Sequence, residues 1–251
     1  MSSESHTVNG GGPPKAVILA GGRGIRIQHL LPNLPKPMAL AAGKPFLEWV
    51  VRYLAKQGLV DVTISTGYRS NTVAAHFDRL ELPGIEIRCE PERVPLGTAG
   101  GFLHAVGDRA DEPGTWLVCN GDSLDLVDLQ PMFALAAKGE AEAVVLGLHA
   151  ADCSRYGSLQ ADSQGRLVRF SEKLPGRGLI NAGVYLFRGD LLRQFPPTRP
   201  LSFETDVFPT LLAANTRIAV NAASAPFLDI GTEETLPYAD QFVTTNLGHF
   251  L

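Results

Sequence analysis

Through its first half the chain alternates short apolar runs with stretches whose apolar residues recur at helical spacing. The runs at 15–20, 61–65, 85–89 and 115–119 read as strands, and 45–57, 70–77 and 99–107 between them read as helices. That order predicts a parallel sheet covered by helices. The segment 45–57 is the clearest: Pro45 suits a first helical position, Phe46, Leu47, Val50, Val51 and Leu54 repeat at helical spacing, and Gly58 follows where a left-handed cap ends a helix. From 142 onward the pattern becomes strand-rich, with AEAVVLGLH, a hairpin turning at Ser163-Gln164-Gly165, and AGVYLF. A helix over 203–214 and a last strand at 226–230 complete it. The expected class is α/β: a Rossmann-like open, mostly parallel sheet with helices on both faces, to which the second half adds a small strand-rich lid. Residues 1–14 read as a flexible leader and 15–251 as a single domain.

Composition narrows the partners. With 251 residues, 45% hydrophobic and 19% charged, the chain can bury one substantial core. A net charge of -4 with scattered basic residues gives no support for nucleic-acid binding, so small molecules are the expected partners. No apolar stretch approaches membrane-spanning length, and Met1 to Pro14 has neither the basic start nor the apolar centre of a signal peptide. Cys89, Cys119 and Cys153 are widely spaced, with no C-x-x-C pair and no histidine placed to complete a zinc site. They suit a reducing cytoplasm, Cys89 and Cys119 as buried strand residues. The oligomeric state is not legible in the sequence.

The chemistry concentrates first in KAVILAGGRGIRIQHLLPNLPKPM, Lys15 to Met38. Val17, Ile18 and Leu19 read as a strand buried on both faces, and Gly21, Gly22 and Gly24 let backbone N–H groups approach an anion with no Cβ in the way. Arg26 and Lys36 would add full positive charges. An ordinary strand-to-helix turn with two solvated basic residues is the alternative, but Pro35 and Pro37 bracket Lys36 with two fixed φ angles that a solvated lysine does not need. Two familiar phosphate loops are excluded by spacing: a dinucleotide fingerprint needs glycine where Ile27 stands, and a P-loop needs Ser or Thr after Gly43-Lys44, where Pro45 stands.

In an open parallel sheet, ligands bind beyond the carboxyl ends of the strands. The segments placed there are the glycine turn, the loop Glu90 to Gly101 ending in GTAGG, Asn120-Gly121-Asp122, and Asp229-Ile230-Gly231-Thr232. Asp122 and Asp229 would together hold one hard cation through carboxylate oxygens, as magnesium is held beside substrate phosphates. Taken singly, each aspartate is equally well read as a cap on the following helix. Asp125 and Asp128 are weaker metal candidates, Asp128 being better explained as the N-cap of the apolar helical run after it.

These residues resemble the sugar-1-phosphate nucleotidylyltransferases over nearly everything from Lys15 to about residue 240. That family opens with LAGG-x-G-T-R-L and then PKP; here LAGG stands at 19–22, then Gly24 and Arg26, and PKP at 35–37. The family's base-binding loop is similar to Gly97-Thr98-Ala99-Gly100-Gly101, and its two metal aspartates to Asp122 and Asp229. The resemblance implies nucleotide contacts at Leu19, Ala20, Gly21, Gly22, Gly24, Glu90, Gly97, Thr98, Ala99 and Asn120. It implies sugar-phosphate contacts at Tyr156, Gly157, Glu172, Lys173, Asn181, Ala182, Gly183 and Glu204, with the strand-rich lid as the sugar side. The implied reaction joins a sugar 1-phosphate to the α-phosphorus of a nucleoside triphosphate and releases pyrophosphate, with magnesium on Asp122 and Asp229. Arg26 would hold the departing pyrophosphate, Lys36 the α-phosphate and Lys173 the incoming sugar phosphate.

The chain departs from the family at Ile25, which replaces a threonine, and over Gln28-His29-Leu30-Leu31-Pro32. His29 reads as a surface histidine rather than a catalytic acid. Glu90 or Glu92 would accept paired hydrogen bonds from the N1–H and amino group of guanine, against the alternative of a solvated acidic loop. Pro95-Leu96-Gly97-Thr98, Gly178-Leu179-Ile180-Asn181 and Ser202-Phe203-Glu204-Thr205-Asp206 look most like the branch that activates D-glycero-α-D-manno-heptose 1-phosphate with GTP for bacterial surface polysaccharides. Ser202 is also a plain cap for the helix after it. The alternatives left open are a nucleotidylyltransferase for mannose, glucose or muramate-type sugar phosphates using GTP or UTP, a glycosyltransferase, and a non-catalytic sugar-nucleotide sensor.

Overall fold

The computed structural model describes residues 14–171 and 175–250. In chain order its strands and helices are β1 (Lys15–Ala20), β2 (Leu40–Ala41), β3 (Lys44–Pro45), α1 (Phe46–Lys56), β4 (Asp61–Thr66), α2 (Ser70–Phe77), β5 (Glu86–Pro91), α3 (Thr98–Val106), β6 (Thr115–Asn120) and β7 (Ser123–Asp125). There follow α4 (Gln130–Ala137), β8 (Ala143–Ala150), β9 (Ser158–Ala161), β10 (Leu167–Ser171), β11 (Gly178–Arg188), α5 (Phe208–Ala213), β12 (Ile218–Ala223), β13 (Phe227–Asp229) and α6 (Ala239–Thr245).

β6, β1, β4 and β5 pair in parallel, so the chain runs outward from β1 through β4 to β5 and then crosses back to place β6 on the other side of β1. The resulting switch point, between the carboxyl ends of β1 and β6, is where an open α/β sheet leaves a crevice. β11 continues the sheet antiparallel to β6 and β8, and β12 lies parallel to β8. The hairpin of β9 and β10, turning through Gly165 at φ 75, hangs from the first part of β11 through Leu179↔Leu159 and Ile180↔Ser158. The strand-rich second half is therefore continuous with the parallel half, and β11 is the seam.

Alternate residues of β1 explain how the sheet is covered. Ala16, Ile18 and Ala20 point into a core with Phe46, Leu47 and Leu54 of α1, while Val17 points into a second core with Phe102, Trp116, Phe187 and Phe203. Ala16, Val17, Ile18 and Ala20 are essentially sealed from water, whereas Leu19, near the strand's open carboxyl end, is half-buried rather than buried as expected. Cys119 is buried and Cys89 half-buried, both in strands. Among the described residues no helix is long and apolar enough to cross a membrane.

Several local expectations shift by physical detail. Pro45 is the N-cap of α1 rather than its first helical residue, with an extended ψ of 140°. The helix expected over 203–214 is two pieces, a π-helical turn at Phe203–Val207 and then α5. Ser202 caps that turn, accepting from Glu204 N and Thr205 N at 3.2 and 3.3 Å. Asp128 accepts from Gln130 N at 3.0 Å, holding the first turn of α4 from one residue before the N-cap, Leu129. β7, β12 and α6 have no counterpart in the expected pattern.

Candidate active site

The glycine turn leaves β1 at the switch point. Gly24 has φ 59, and a Cβ there would lie 2.8 Å from Lys36 Cβ, so the turn can pass over the Pro35-Lys36-Pro37 segment only as glycine. Pro35, extended at ψ 144°, delivers the chain into a 3-10 turn at Lys36–Met38, in which Met38 N donates to Pro35 O at 2.8 Å. Pro37 and Met38 are buried, which anchors the turn and aims Lys36 inward. Its Nζ forms an ion pair with Asp122, and its side chain is only 12% exposed. A half-buried, paired lysine is far from the solvated one that the glycines alone would permit. Arg26 stands on the 3-10 turn Ile25–Leu30, exposed, with its neighbour Ile27 fully buried as the plug that holds the turn down.

The altered 28–32 loop is braced from outside. Gln28 Nε2 donates to Tyr68 Oη at 3.3 Å, and Arg69 Nη2 donates to Asn33 Oδ1 at 2.6 Å. His29 is a surface residue, 59% exposed, yet it faces the equally exposed Glu233 at 3.2 Å. That partner lies in the loop after β13, out of reach of any local reading.

Asp122 follows β6, whose end is locked against β1 by Gly121 N donating to Leu19 O at 2.9 Å. The antiparallel pair β7–β13, with Ser123 opposite Asp229, then brings the second carboxylate beside the first. Ile230 N donates to Asp122 O at 3.0 Å, and Gly231 N donates to Asp229 Oδ1 at 2.7 Å. Burial, then the Asp122 charge, push the Asp229 carboxyl above the ordinary range; Lys36 and Arg26 draw it back down. All four charged groups thus act within one crevice. The donor set suits a hard cation: two like charges whose mutual repulsion a divalent ion relieves, with oxygen ligands. Among the described residues no group of three His, Cys, Asp or Glu side chains is gathered as a metal cage, so phosphate and water would complete such a shell. Asp125, one strand position inward, is buried, its Oδ1 has no hydrogen-bond partner, and burial followed by Asp229 raises its carboxyl well above the usual range.

Opposite the glycine turn stands the loop between β5 and α3. Glu90 lies within β5, its carbonyl accepting from Thr66 Oγ1 at 3.3 Å. Glu92 accepts from Ser65 Oγ at 2.8 Å and Leu96 N at 3.2 Å, and a Cβ on Gly21 or Gly101 would come within 2.7 or 2.5 Å of its Oε1. It fastens the base-side loop down while bordering the glycine turn. The N–H groups of Ala99 and Gly100 at the start of α3 both donate to Leu201 O, at 3.0 and 3.1 Å. Gly97, at φ 79, makes room for that carbonyl, which a Cβ would meet at 2.4 Å. Thr98 Oγ1 accepts from Phe203 N at 3.1 Å.

The lid side gathers Tyr156, Gly157, Asn181, Ala182, Gly183 and Glu204. Asn181 N donates to Gly157 O at 2.7 Å, and Gly183, at φ 73, lets β11 close on β6: a Cβ would fall 2.3 Å from Asn120 Nδ2. Tyr156 packs edge-on against Phe227, 5.5 Å between centroids, and burial followed by Asp229 raises its phenol. Glu204 accepts from Tyr185 Oη at 3.0 Å and Ser202 Oγ at 2.8 Å. Glu172 and Lys173 lie outside the described residues. The sequence reading did not single out Tyr185, which sits inside an apolar strand run and gives no local signal.

A switch-point crevice with a glycine turn on one wall, two aspartates on its floor and two cations reaching in defines an α/β protein that handles phosphates. More narrowly, the chain belongs to the nucleotidyl transferase family, whose profile matches residues 15–246. It is 32% identical over 222 residues to the D-glycero-alpha-D-manno-heptose 1-phosphate guanylyltransferase of Campylobacter jejuni, covering 88% of this chain and 96% of that one. To the protein of the same description from Aneurinibacillus thermoaerophilus it is 36% identical over 194 residues, 76% of this chain and 82% of the relative. Similarity to the mannose-1-phosphate guanylyltransferase of Mycobacterium tuberculosis is 33% over 222 residues, 87% of this chain; the match spans only 61% of that longer protein. In three dimensions the crystal structure of HddC from Yersinia pseudotuberculosis is similar with a TM-score of 0.81 at 28% identity, covering 91% of this chain and 99% of HddC. HddC complexed with GMP-PN gives 0.80 at 27% identity.

Proposed function

We propose that this protein transfers GMP from GTP to D-glycero-α-D-manno-heptose 1-phosphate, giving GDP-heptose and pyrophosphate, with Mg2+ on Asp122 and Asp229. The observation that carries the reading is the half-buried Lys36–Asp122 ion pair at the switch point, with Asp229 brought alongside by β7–β13. The named heptose guanylyltransferases, matched over most of their length, support the choice of base and sugar.

A phosphate oxygen of the sugar 1-phosphate attacks the α-phosphorus of GTP, and the α–β bridging oxygen leaves on pyrophosphate. The nucleophile is already ionised at neutral pH, so the protein has no proton to remove. Its task is to align two anions and neutralise charge. Lys36 holds the α-phosphate, Arg26 the β- and γ-phosphates, and the N–H groups of Gly21, Gly22 and Gly24 the remaining oxygens. Lys173 is assigned to the incoming sugar phosphate. Bound Mg2+ would act as Lewis acid and template between phosphate oxygens. Glu90 accepts the paired donors of guanine, while Glu92 fixes the loop that follows it. Leu19, Ala20 and Asn120 line the nucleotide side; Tyr156, Gly157, Glu172, Asn181, Ala182, Gly183 and Glu204 line the sugar side. The reaction is assigned to a single catalytic domain acting in the cytoplasm, supplying activated heptose for bacterial surface polysaccharides.

The test is magnesium-dependent pyrophosphate release from GTP, UTP, CTP, ATP and dTTP, each with heptose, mannose and glucose 1-phosphates. Release confined to GTP with the heptose is expected. Preference for mannose 1-phosphate, in line with the similarity to the Mycobacterium tuberculosis protein, would move the sugar; silence across the panel would overturn the enzyme reading.

A further inference from the structure

Tyr185 is 2% exposed, in β11, within a cluster of phenylalanines: its ring lies 5.0 Å from Phe203 and 4.9 Å from Phe208, centroid to centroid. Phe187, two positions on in the same core, shows that a plain phenyl ring serves this packing. A hydroxyl here costs about 1–3 kcal/mol unless it finds partners. The partners it finds are telling. Tyr185 Oη donates to Glu204 Oε1 at 3.0 Å and accepts from Asn181 Nδ2 at 2.7 Å. The other end of the Asn181 amide is also held, Oδ1 accepting from Gly183 N at 3.0 Å, and the other Glu204 oxygen accepts from Ser202 Oγ at 2.8 Å. The amide therefore cannot flip and the carboxylate cannot rotate without breaking a half-buried hydrogen bond.

We propose that Tyr185 is a positioning residue for sugar selection: its hydroxyl, without touching substrate, fixes the Asn181 amide and the Glu204 carboxylate in the orientation in which they meet the sugar hydroxyls. The proposal rests on the assignment of Asn181 and Glu204 to the sugar side. Burial and the neighbouring Glu204 push the phenol well above its ordinary range, so it stays protonated, and a donor, at neutral pH. Thr98 strengthens the arrangement from the nucleotide side. It accepts from Phe203 N at 3.1 Å, next to Glu204, so the carboxylate is hung from the same loop that begins α3.

The experiment is Tyr185→Phe, with separate KM values for GTP and for D-glycero-α-D-manno-heptose 1-phosphate. The KM for the sugar phosphate is expected to rise about tenfold, the loss of roughly one buried hydrogen bond, while the KM for GTP stays within about twofold. The preference for the heptose over mannose 1-phosphate should narrow. In the Tyr185→Phe/Glu204→Gln double variant the sugar KM should rise by less than the product of the two single effects, because part of what the hydroxyl does runs through that carboxylate and the rest through Asn181. Equal rises in both KM values, unchanged values, or effects that multiply in the double variant would overturn the proposal. Ser202→Ala removes a second Glu204 donor from a half-buried site, leaving only the longer Thr98 Oγ1 contact at 3.5 Å on that oxygen, and should give the same split at smaller size, which keeps the test open were Tyr185→Phe insoluble. Wild-type silence in the substrate panel would instead strike the functional reading, so the two failures are separable.

Discussion

The cation end of the crevice and its sugar wall are built by opposite strategies. At the cation end, charges meet directly: Lys36 on Asp122, Asp229 beside them at the end of β13, and Arg26 within reach. At the sugar wall the carboxylate and amide are held by neutral groups, Tyr185, Ser202 and the Gly183 N–H. The first arrangement suits groups that must respond to arriving phosphate and metal; the second suits groups that must stand still to tell one hydroxyl pattern from another. Reactivity here is a matter of charge, selectivity a matter of immobility.

The sharpest break in that contrast comes at the cation end. Asp122→Ala and Lys36→Ala should each lower turnover by about 10²–10³-fold or more, with circular dichroism and melting close to wild type, since both sit on turns rather than in the core. Near-normal turnover in either folded variant would remove the residue from the site. Chelation of divalent metal should abolish pyrophosphate release, restored by added Mg2+.

Gly183→Ala attacks the join between the two regions. Its φ of 73 and the 2.3 Å approach to Asn120 demand both strain and a displaced amide. A loss of about 2–3 kcal/mol in denaturant unfolding is expected, with the sugar KM rising more than the GTP KM.

Asp125→Asn probes the floor of the cation end. Its folded carboxyl titrates well above the unfolded value of about 3.9, so above that pH the unfolded chain gives up a proton that the folded one keeps. Wild-type stability therefore falls as pH climbs from about 4 toward the raised value. The Asn variant lacks this loss: its melting temperature in metal-free buffer should exceed wild type at pH 7 and converge with it near pH 4. An unchanged difference across that range would show that Asp125 is ionised in the fold. The smallest effect belongs to His29→Ala, which cuts an exposed pair with Glu233 and should cost at most about 1 kcal/mol, with turnover nearly intact.

How much of this was legible in the sequence follows the range of the interactions. β1, α1, β4, α2 and β6 each carry their own periodicity, and the glycines at 21, 22 and 24 announce a turn that must approach something closely. The convergence of strand ends on one crevice follows from parallel topology alone. What stayed hidden depends on distant partners. β7 is three residues long and exists because it pairs with β13, the strand expected at 226–230, not because its own sequence favours a strand. β12, IAVNAA, is a weak strand former recruited by β8. Glu233 meets His29, and Leu201 caps α3, across separations no local pattern carries. Tyr185 was hidden differently: in a run of apolar residues a tyrosine reads as core, and only its hydrogen bonds distinguish it from Phe187.

The seam strand has a consequence for error. β11 seals β6 through Val184 to Arg188 and carries Asn181, Gly183 and Tyr185 along the same eleven residues. A slip of one residue would turn each side chain to the wrong face of the sheet. It would cast Tyr185 out of the core and drive a side chain into Asn120, and it would unseat the strand bordering the catalytic floor. On the proposed function, mispaired molecules lose the sugar wall and the crevice floor together, and are expected to be inert rather than promiscuous.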